Sequence, residues 1–187
     1  FPVMAKMTYD FQEIREAARA NVPLSNKRRD AVIKAIDTKL DRIAWFGDAD
    51  HNLVGLAQYP GTTSATVPND GTGSSTTWAS KTVDLILRDI YNGIAAIKDP
   101  TNDIESPDTL LLPSKIFTAL GTRMVNTAHS GNIPILSLLK SVLADLGITT
   151  ILGLNELNTA TPGGGTRAIL FKNDKMNLEY FLPVTME

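Results

Sequence analysis

The chain has 187 residues, 43 % of them apolar and 20 % charged, with 18 basic against 20 acidic side chains for a formal net charge of −2. That length and balance exclude a wholly disordered chain, and the near-neutral charge supplies no field that would by itself direct the protein to nucleic acid or an acidic membrane. Cysteine is absent, which removes disulfides, thiolate zinc sites and a cysteine nucleophile and fits folding in a reducing cytoplasm.

No apolar run approaches the roughly 18–20 residues that span a bilayer. The opening "FPVMAKMTYD" lacks the basic start and apolar core of a signal peptide. A first residue Phe1 and a strand-like last run "FLPVTME" read as ends trimmed from a longer polypeptide.

Asp10 and Glu13 have capping-box spacing, and Phe11, Ile14, Ala17 and Ala18 follow at helical spacing, predicting a short helix over 11–20. Pro23 interrupts it, and Ser25 or Asn26 suits the N-cap of the next helix. That helix carries the strongest local signal. Val32, Ile36, Leu40 and Ile43 form one apolar stripe from about Asn26 to Phe46, and Asp30, Lys34, Asp37 and Asp41 form a charged one. The apolar stripe is narrow, so the helix should lie along a surface rather than inside a core.

Residues 61–78, "GTTSATVPNDGTGSSTTW", read as an exposed, mobile loop. From Thr82 a second amphipathic helix carries Val83, Ile86, Ile90, Ile94 and Ile97, until "KDPTNDIESPD" ends it with two prolines. "TLLLP", 109–113, suits a buried strand, and Ser114 is placed to cap a helix running to about Asn126. "HSGNIP" reads as a loop. Ile135, Leu138, Leu139, Val142 and Leu146 predict a further helix with Gly147 at its C-terminal turn. "ITTIL" (148–152) and "RAILF" (167–171) read as strands, and 176–184 as a last extended segment. This order implies an α+β fold with a small central sheet.

Few side chains point to chemistry. Asp48, Asp50 and His51 lie within four positions of one another, and His129 is the only other histidine. A metal site needs three or four converging ligands, and no His-x-x-x-His or Glu-x-x-His pair supplies them. The cluster reads instead as a solvated elbow beyond the helix-ending Gly47, where such residues are common. "PGGGTR", 162–167, lacks the lysine of a phosphate-binding loop and leads to a strand rather than a helix. There is no Gly-x-Ser-x-Gly elbow for a Ser/His/Asp hydrolase. The cations Lys27, Arg28 and Arg29 sit at a helix start that disfavours positive charge, which hints at an anionic partner or a solvated surface. No catalytic, cofactor-binding or metal residue is therefore assigned, and the expectation is a protein that is not an enzyme.

Three segments carry a resemblance. They are "YDFQEIREAARANVPLSNKRRDAVIKAIDTKLDRIAWFGD" with "NLVGLAQYPG" after it, then "SPDTLLLPSKIFTAL", then "SLLKSVLADLGI". Together they resemble the major capsid proteins of tailed bacteriophages and prophages, over nearly the whole chain. The resemblance implies the Hong Kong 97-type capsid fold. Residues 1–47 would belong to the peripheral domain, with 26–46 as its spine helix. Residues 48–173 would form the axial domain, and 174–187 a strand returning to the peripheral domain. It further implies a fragment of a coat subunit whose partners are other copies of itself in pentamers and hexamers, with scaffold or portal proteins. The shell would be assembled in the host cytoplasm and enclose double-stranded DNA, without cofactor, sequence-specific binding or membrane. The alternatives are an encapsulin-like nanocompartment shell and, in a different class, a metal-dependent hydrolase using Asp48, Asp50 and His51.

Overall fold

The structure, a computed structural model, describes residues 6, 8, 10–20, 24–127, 131–161 and 164–174. The chain divides into two compact units, Phe1–Gln58 and Tyr59–Glu187.

The first unit opens with helix α1 (Phe11–Arg19) and helix α2 (Leu24–Phe46). Asp10 occupies the N-cap position of α1 with extended backbone but makes no side-chain cap. The expected capping box is not formed, because the Glu13 carboxylate is taken by the Arg28 guanidinium, which also donates to the Thr8 carbonyl. Helix α1 buries none of its residues, and Arg15 lies over the Phe11 ring, 5.9 Å from its centroid. Helix α2 starts two residues ahead of Asn26, so Ser25 and Asn26 belong to its first turn and are not its caps. Its 23 residues span about 34 Å at 1.5 Å each. Along it Val32, Ile36 and Leu40 are half-buried and Ile43 is buried, while their neighbours on the other faces are exposed, as the stripe predicts.

Helix α2 ends on Gly47, whose φ of +74° is the left-handed turn that glycine adopts at little cost. Strands β1 (Gly47–Asp48) and β2 (Leu53–Val54) then pair antiparallel around a 3-10 turn, Ala49–His51. The return strand passes so close that a Cβ on Gly55 would lie 2.4 Å from the backbone nitrogens of Phe46 and Gly47. Only glycine allows two backbones to approach so closely.

The second unit holds helix α3 (Val83–Lys98), strand β3 (Thr109–Pro113), helix α4 (Ser114–Thr122), strands β4 (Met124–Thr127) and β5 (Gly131–Pro134), helix α5 (Ile135–Asp145), and strands β6 (Thr150–Leu154) and β7 (Ile169–Phe171). The main sheet has the order β6-β3-β7, with β6 parallel and β7 antiparallel to β3. Every residue of β3 is buried, as befits a central strand covered on both faces. The core joins Ile86, Ile90 and Ile94 of α3, Leu110 and Leu112 of β3, Leu120 of α4, and Ile135, Leu139 and Leu143 of α5. Glycine closes α5 as predicted: Gly147 has φ +89°, its N–H donates to the Ala144 carbonyl, and that of Ile148 to Leu143.

Several expectations are corrected here, mostly for long-range reasons. The helix after β3 stops at Thr122 rather than near Asn126, because residues 124–127 pair with 131–134 as a hairpin. "GNIP" of the expected loop is thus a strand, and its end is fixed by Ile135 N–H donating to the Arg123 carbonyl at 2.9 Å. The cap of α4 also comes from afar. Ser114 is the first helical residue, and buried Asn158 accepts from Lys115 N–H while donating to Ser114 Oγ at 2.8 Å. The strand expected at 148–152 is displaced to 150–154, since Ile148 closes α5, and the one expected at 167–171 starts at Ile169. The extended segment expected over 176–184 lies outside the described residues.

Candidate functional site

The conspicuous Asp48, Asp50 and His51 fall on the tip of the β1–β2 hairpin, within the first unit. The Asp48 carboxylate accepts the Asp50 N–H at 3.2 Å, faces His51 Nδ1 at 3.3 Å and has Lys39 Nζ at 4.0 Å. Asp48 therefore caps the turn and links it to α2, while Asp50 and His51 are exposed. Among the described residues, no group of three or more His, Asp and Glu side chains gathers as metal ligands would. His129 lies outside the described residues.

The glycine segment is closed on itself: Gly164 N–H donates to the Thr161 carbonyl at 2.9 Å and Thr161 N–H to Gly165 at 3.1 Å. Residues 162 and 163 lie outside the described residues. Of the basic cluster, Arg28 is turned inward to Glu13 and Thr8, while Lys27 and Arg29 face solvent.

The densest polar constellation lies elsewhere, in the second unit, and sequence reading missed it. Lys81 is fully buried between the Ser/Thr/Gly loop and α3. Its ammonium donates to Asp89 at 2.7 Å, to Asp70 at 2.9 Å and to the Pro68 carbonyl at 2.8 Å. Trp78 Nε1 adds a bond to Asp89 at 3.1 Å, and Arg88 bridges Asp70 at 2.5 Å and Asp89 at 2.8 Å. All three ammonium hydrogens are thus satisfied, which a buried lysine requires to remain charged.

Electrostatics follow the same geometry. The Lys81 hydrogen bond, with Arg88 beside it, holds the Asp70 carboxyl below its ordinary value against the opposing effect of burial. Burial alone would pull the Lys81 ammonium down, but the hydrogen bonds it donates to Asp89 and Asp70 outweigh it and leave its pKa raised. Most of the 61–78 loop is exposed, as expected, but Gly71 and Trp78 are buried and its second half is organised. Gly71 and Ser75 form a β-bridge, and the Ser75, Thr77 and Ser80 hydroxyls bond in series at 2.8 and 3.2 Å. One signal was available in the sequence: Asp89 sits on the same face of α3 as Ile86 and Ile90, and an acid there demands a buried cation.

A second joint lies at the start of the sheet. The N–H of Asp108 donates to Phe171, and its carbonyl accepts from Thr149 and Thr150. Its carboxylate accepts from Asn173 N–H at 2.9 Å and Thr109 Oγ1 at 2.7 Å, which together hold its pKa down. Both constellations hold loops and strands together, although the buried Arg88 Nε has no hydrogen-bond partner among the described residues.

The family described as "Major capsid protein" matches over residues 1–187. No curated protein matches the chain. Among solved structures, the chain is similar to one in the capsid of Myoviridae phage XM1, with a TM-score of 0.58 and 15 % identity. The match covers 86 % of this chain and 52 % of that one, so this chain spans about half the length of the capsid chain it matches. At that identity the likeness is one of fold.

Proposed function

Since this chain belongs to the major capsid protein family, we propose that it is coat-subunit material of a tailed-bacteriophage or prophage head. Copies associate through capsomers into an icosahedral shell of the Hong Kong 97 type around double-stranded DNA. Helix α2 is the spine helix of a peripheral domain comprising 1–47, residues 48–173 form the axial domain, and 174–187 return toward the periphery. The role is structural. No residue acts as catalyst, cofactor ligand or metal ligand, and the partners are further copies, with scaffold and portal proteins. The shell assembles in the host cytoplasm and ends in the virion.

The family match over the full 187 residues is the observation that carries this reading. Physical features support it. The polar constellations brace loops instead of facing a pocket, and large apolar side chains such as Phe11, Val54, Ile104 and Met124 remain more than half exposed, as surfaces meant for neighbours do. The solved structure it resembles is a phage capsid, which favours a genome container over an enzyme-filled compartment. No described helix is long and apolar enough to cross a membrane.

Electron microscopy of the protein expressed in bacteria, alone and with the other head genes from its locus, tests the proposal. Rings or shells carrying this chain are expected. Strictly monomeric protein under both conditions would overturn it.

A further inference from the structure

An apolar side chain left in water is informative when the backbone is built to hold it there. Ile104 is 79 % exposed, the most exposed large apolar residue of the described chain. It follows Asn102 and Asp103, two consecutive non-glycine residues in the left-handed region with φ of 51° and 61°. Asn and Asp tolerate that region better than other side chains, but two in a row persist only when their surroundings fix them. Here they are fixed. Asp103 N–H donates to the Lys98 carbonyl at 3.0 Å, and Ile104 N–H to that of Thr101 at 3.1 Å. Thr101 Oγ1 donates to the Ile97 and Lys98 carbonyls at 2.9 and 3.1 Å and accepts Glu105 N–H at 3.3 Å. The Glu105 carboxylate pairs with Lys172, just past β7, at 3.3 Å. The turn is thus a braced mount, on the β7 side of the sheet, for one isoleucine beside an exposed acid, Asp103.

The opposite edge of the same sheet offers a complement. Between α5 and β6 lies a groove of about 290 Å³, lined by Lys140 and Ala144 of α5, by Ile148 and Thr149, and by Thr150, Ile151 and Leu152 of β6. Leu152 is 49 % exposed. The groove carries Ile148, Ile151 and Leu152 beside two threonines, with the Lys140 cation on its α5 side. The knob is apolar with an acid beside it. The charges are complementary, and because the sheet order is β6-β3-β7 the two features sit at opposite edges of one unit. A surface and its complement on opposite edges join copies head to tail, which yields rings when the rotation closes.

We infer that Ile104 seats in the α5–β6 groove of a second copy of this chain, with Asp103 facing that copy's Lys140. This rests on the coat-subunit reading, and it adds which surfaces meet.

The chain has no cysteine, so engineered thiols report the contact without background. Ile104→Cys mixed with Ala144→Cys under mild oxidation is expected to give a disulfide-linked dimer. Each variant alone, and Ile104→Cys mixed with Thr118→Cys on α4, should give little. Sedimentation velocity of the otherwise unmodified 187-residue chain should show concentration-dependent oligomers, and Ile104→Asp or Leu152→Asp should weaken association by about tenfold or more, as interface anchors do. Asp103→Lys and Lys140→Glu should each weaken it, and their combination should restore it. Circular dichroism would check that these exposed substitutions leave the fold intact. If the chain associates but the cysteine pair fails to cross-link and Ile104→Asp associates normally, the knob-and-groove contact is overturned while the coat reading stands. If the chain stays monomeric at every concentration and no cross-link forms, the contact is overturned and the self-assembly of this chain falls with it.

Discussion

Two charged clusters, one in each unit, hold loops in place by opposite means. On the β1–β2 hairpin, Asp48, Asp50 and His51 lie close in sequence, and two of the three are exposed. Around Lys81, residues spread over twenty positions converge: Asp70 and Asp89 accept from its fully buried ammonium, and Arg88 bridges the two carboxylates. The first cluster trims a turn whose path is already dictated by backbone, because Gly47 and Gly55 let one strand cross the helix end at van der Waals limits. The second is itself the fastening, because nothing else in the described structure ties Asp70 and its loop to α3 so directly. Burial makes the difference: exposed ion pairs contribute at most about 1 kcal/mol, whereas unpairing a buried charge is expensive.

That contrast can be broken by substitution. The largest effect is expected from Asp89→Ala, which removes the buried carboxylate shared by Lys81, Arg88 and Trp78 and leaves the buried ammonium only Asp70 and the Pro68 carbonyl. It should cost the second unit about 3–5 kcal/mol. Denaturant unfolding would read this through Trp78 fluorescence in a Trp45→Phe background, where a single indole remains. A loss under about 1 kcal/mol would show that water reaches the site and that the cluster is no fastening.

Next in size, Gly55→Ala should cost the first unit about 2–3 kcal/mol, because its Cβ meets backbone that has no room to yield. The far-ultraviolet dichroism of α2 on heating would show it. A neutral result would mean that the hairpin is not held by the close crossing.

A smaller effect follows from acidity. The carboxyls of Asp70 and Asp108 titrate lower folded than unfolded, so the stability they contribute is present above about pH 4 and is lost as pH falls through their folded values. Lys81 titrates higher folded, so its contribution is full below about pH 10.4 and is lost as pH rises through its folded value. Midpoints of urea unfolding against pH should therefore fall at both extremes, and Asp70→Asn should flatten the acid limb. The smallest change is expected from His51→Ala, within about 0.5 kcal/mol of the parent by the same measurement. A loss several times larger would promote the hairpin cluster to a structural role.

What was legible in the sequence was whatever repeats locally. The stripe of Val32, Ile36, Leu40 and Ile43 foretold which face of α2 is covered, and Gly147 foretold how α5 ends. "TLLLP" announced a strand buried on both faces. The capsid family was legible from a few segments taken together, and the family match and the fold likeness agree with it. What stayed hidden depends on partners far along the chain. Residues 124–127 become a strand only because 131–134 lie beside them, and the start of α4 is satisfied by Asn158, 44 positions past Ser114. The buried role of Asp89 also depends on Lys81 and Asp70, although its place on the apolar face of α3 was the clue. Asp48, Asp50 and His51 are adjacent in sequence, yet adjacency places side chains on a common turn and says little about burial.

The main sheet also has a consequence in time. Its central strand, β3, is synthesised early, but its parallel neighbour begins at Thr150 and its antiparallel one at Ile169. Asp108, which bonds to both neighbours, cannot complete its hydrogen bonds until Asn173 exists. During translation at roughly 5–20 residues per second, the leucines of β3 thus wait several seconds with both edges unpaired. Helices α4 and α5 can form locally within that interval and cover part of the strand. The long separation of its pairings makes closure of the sheet the slow step in building the second unit.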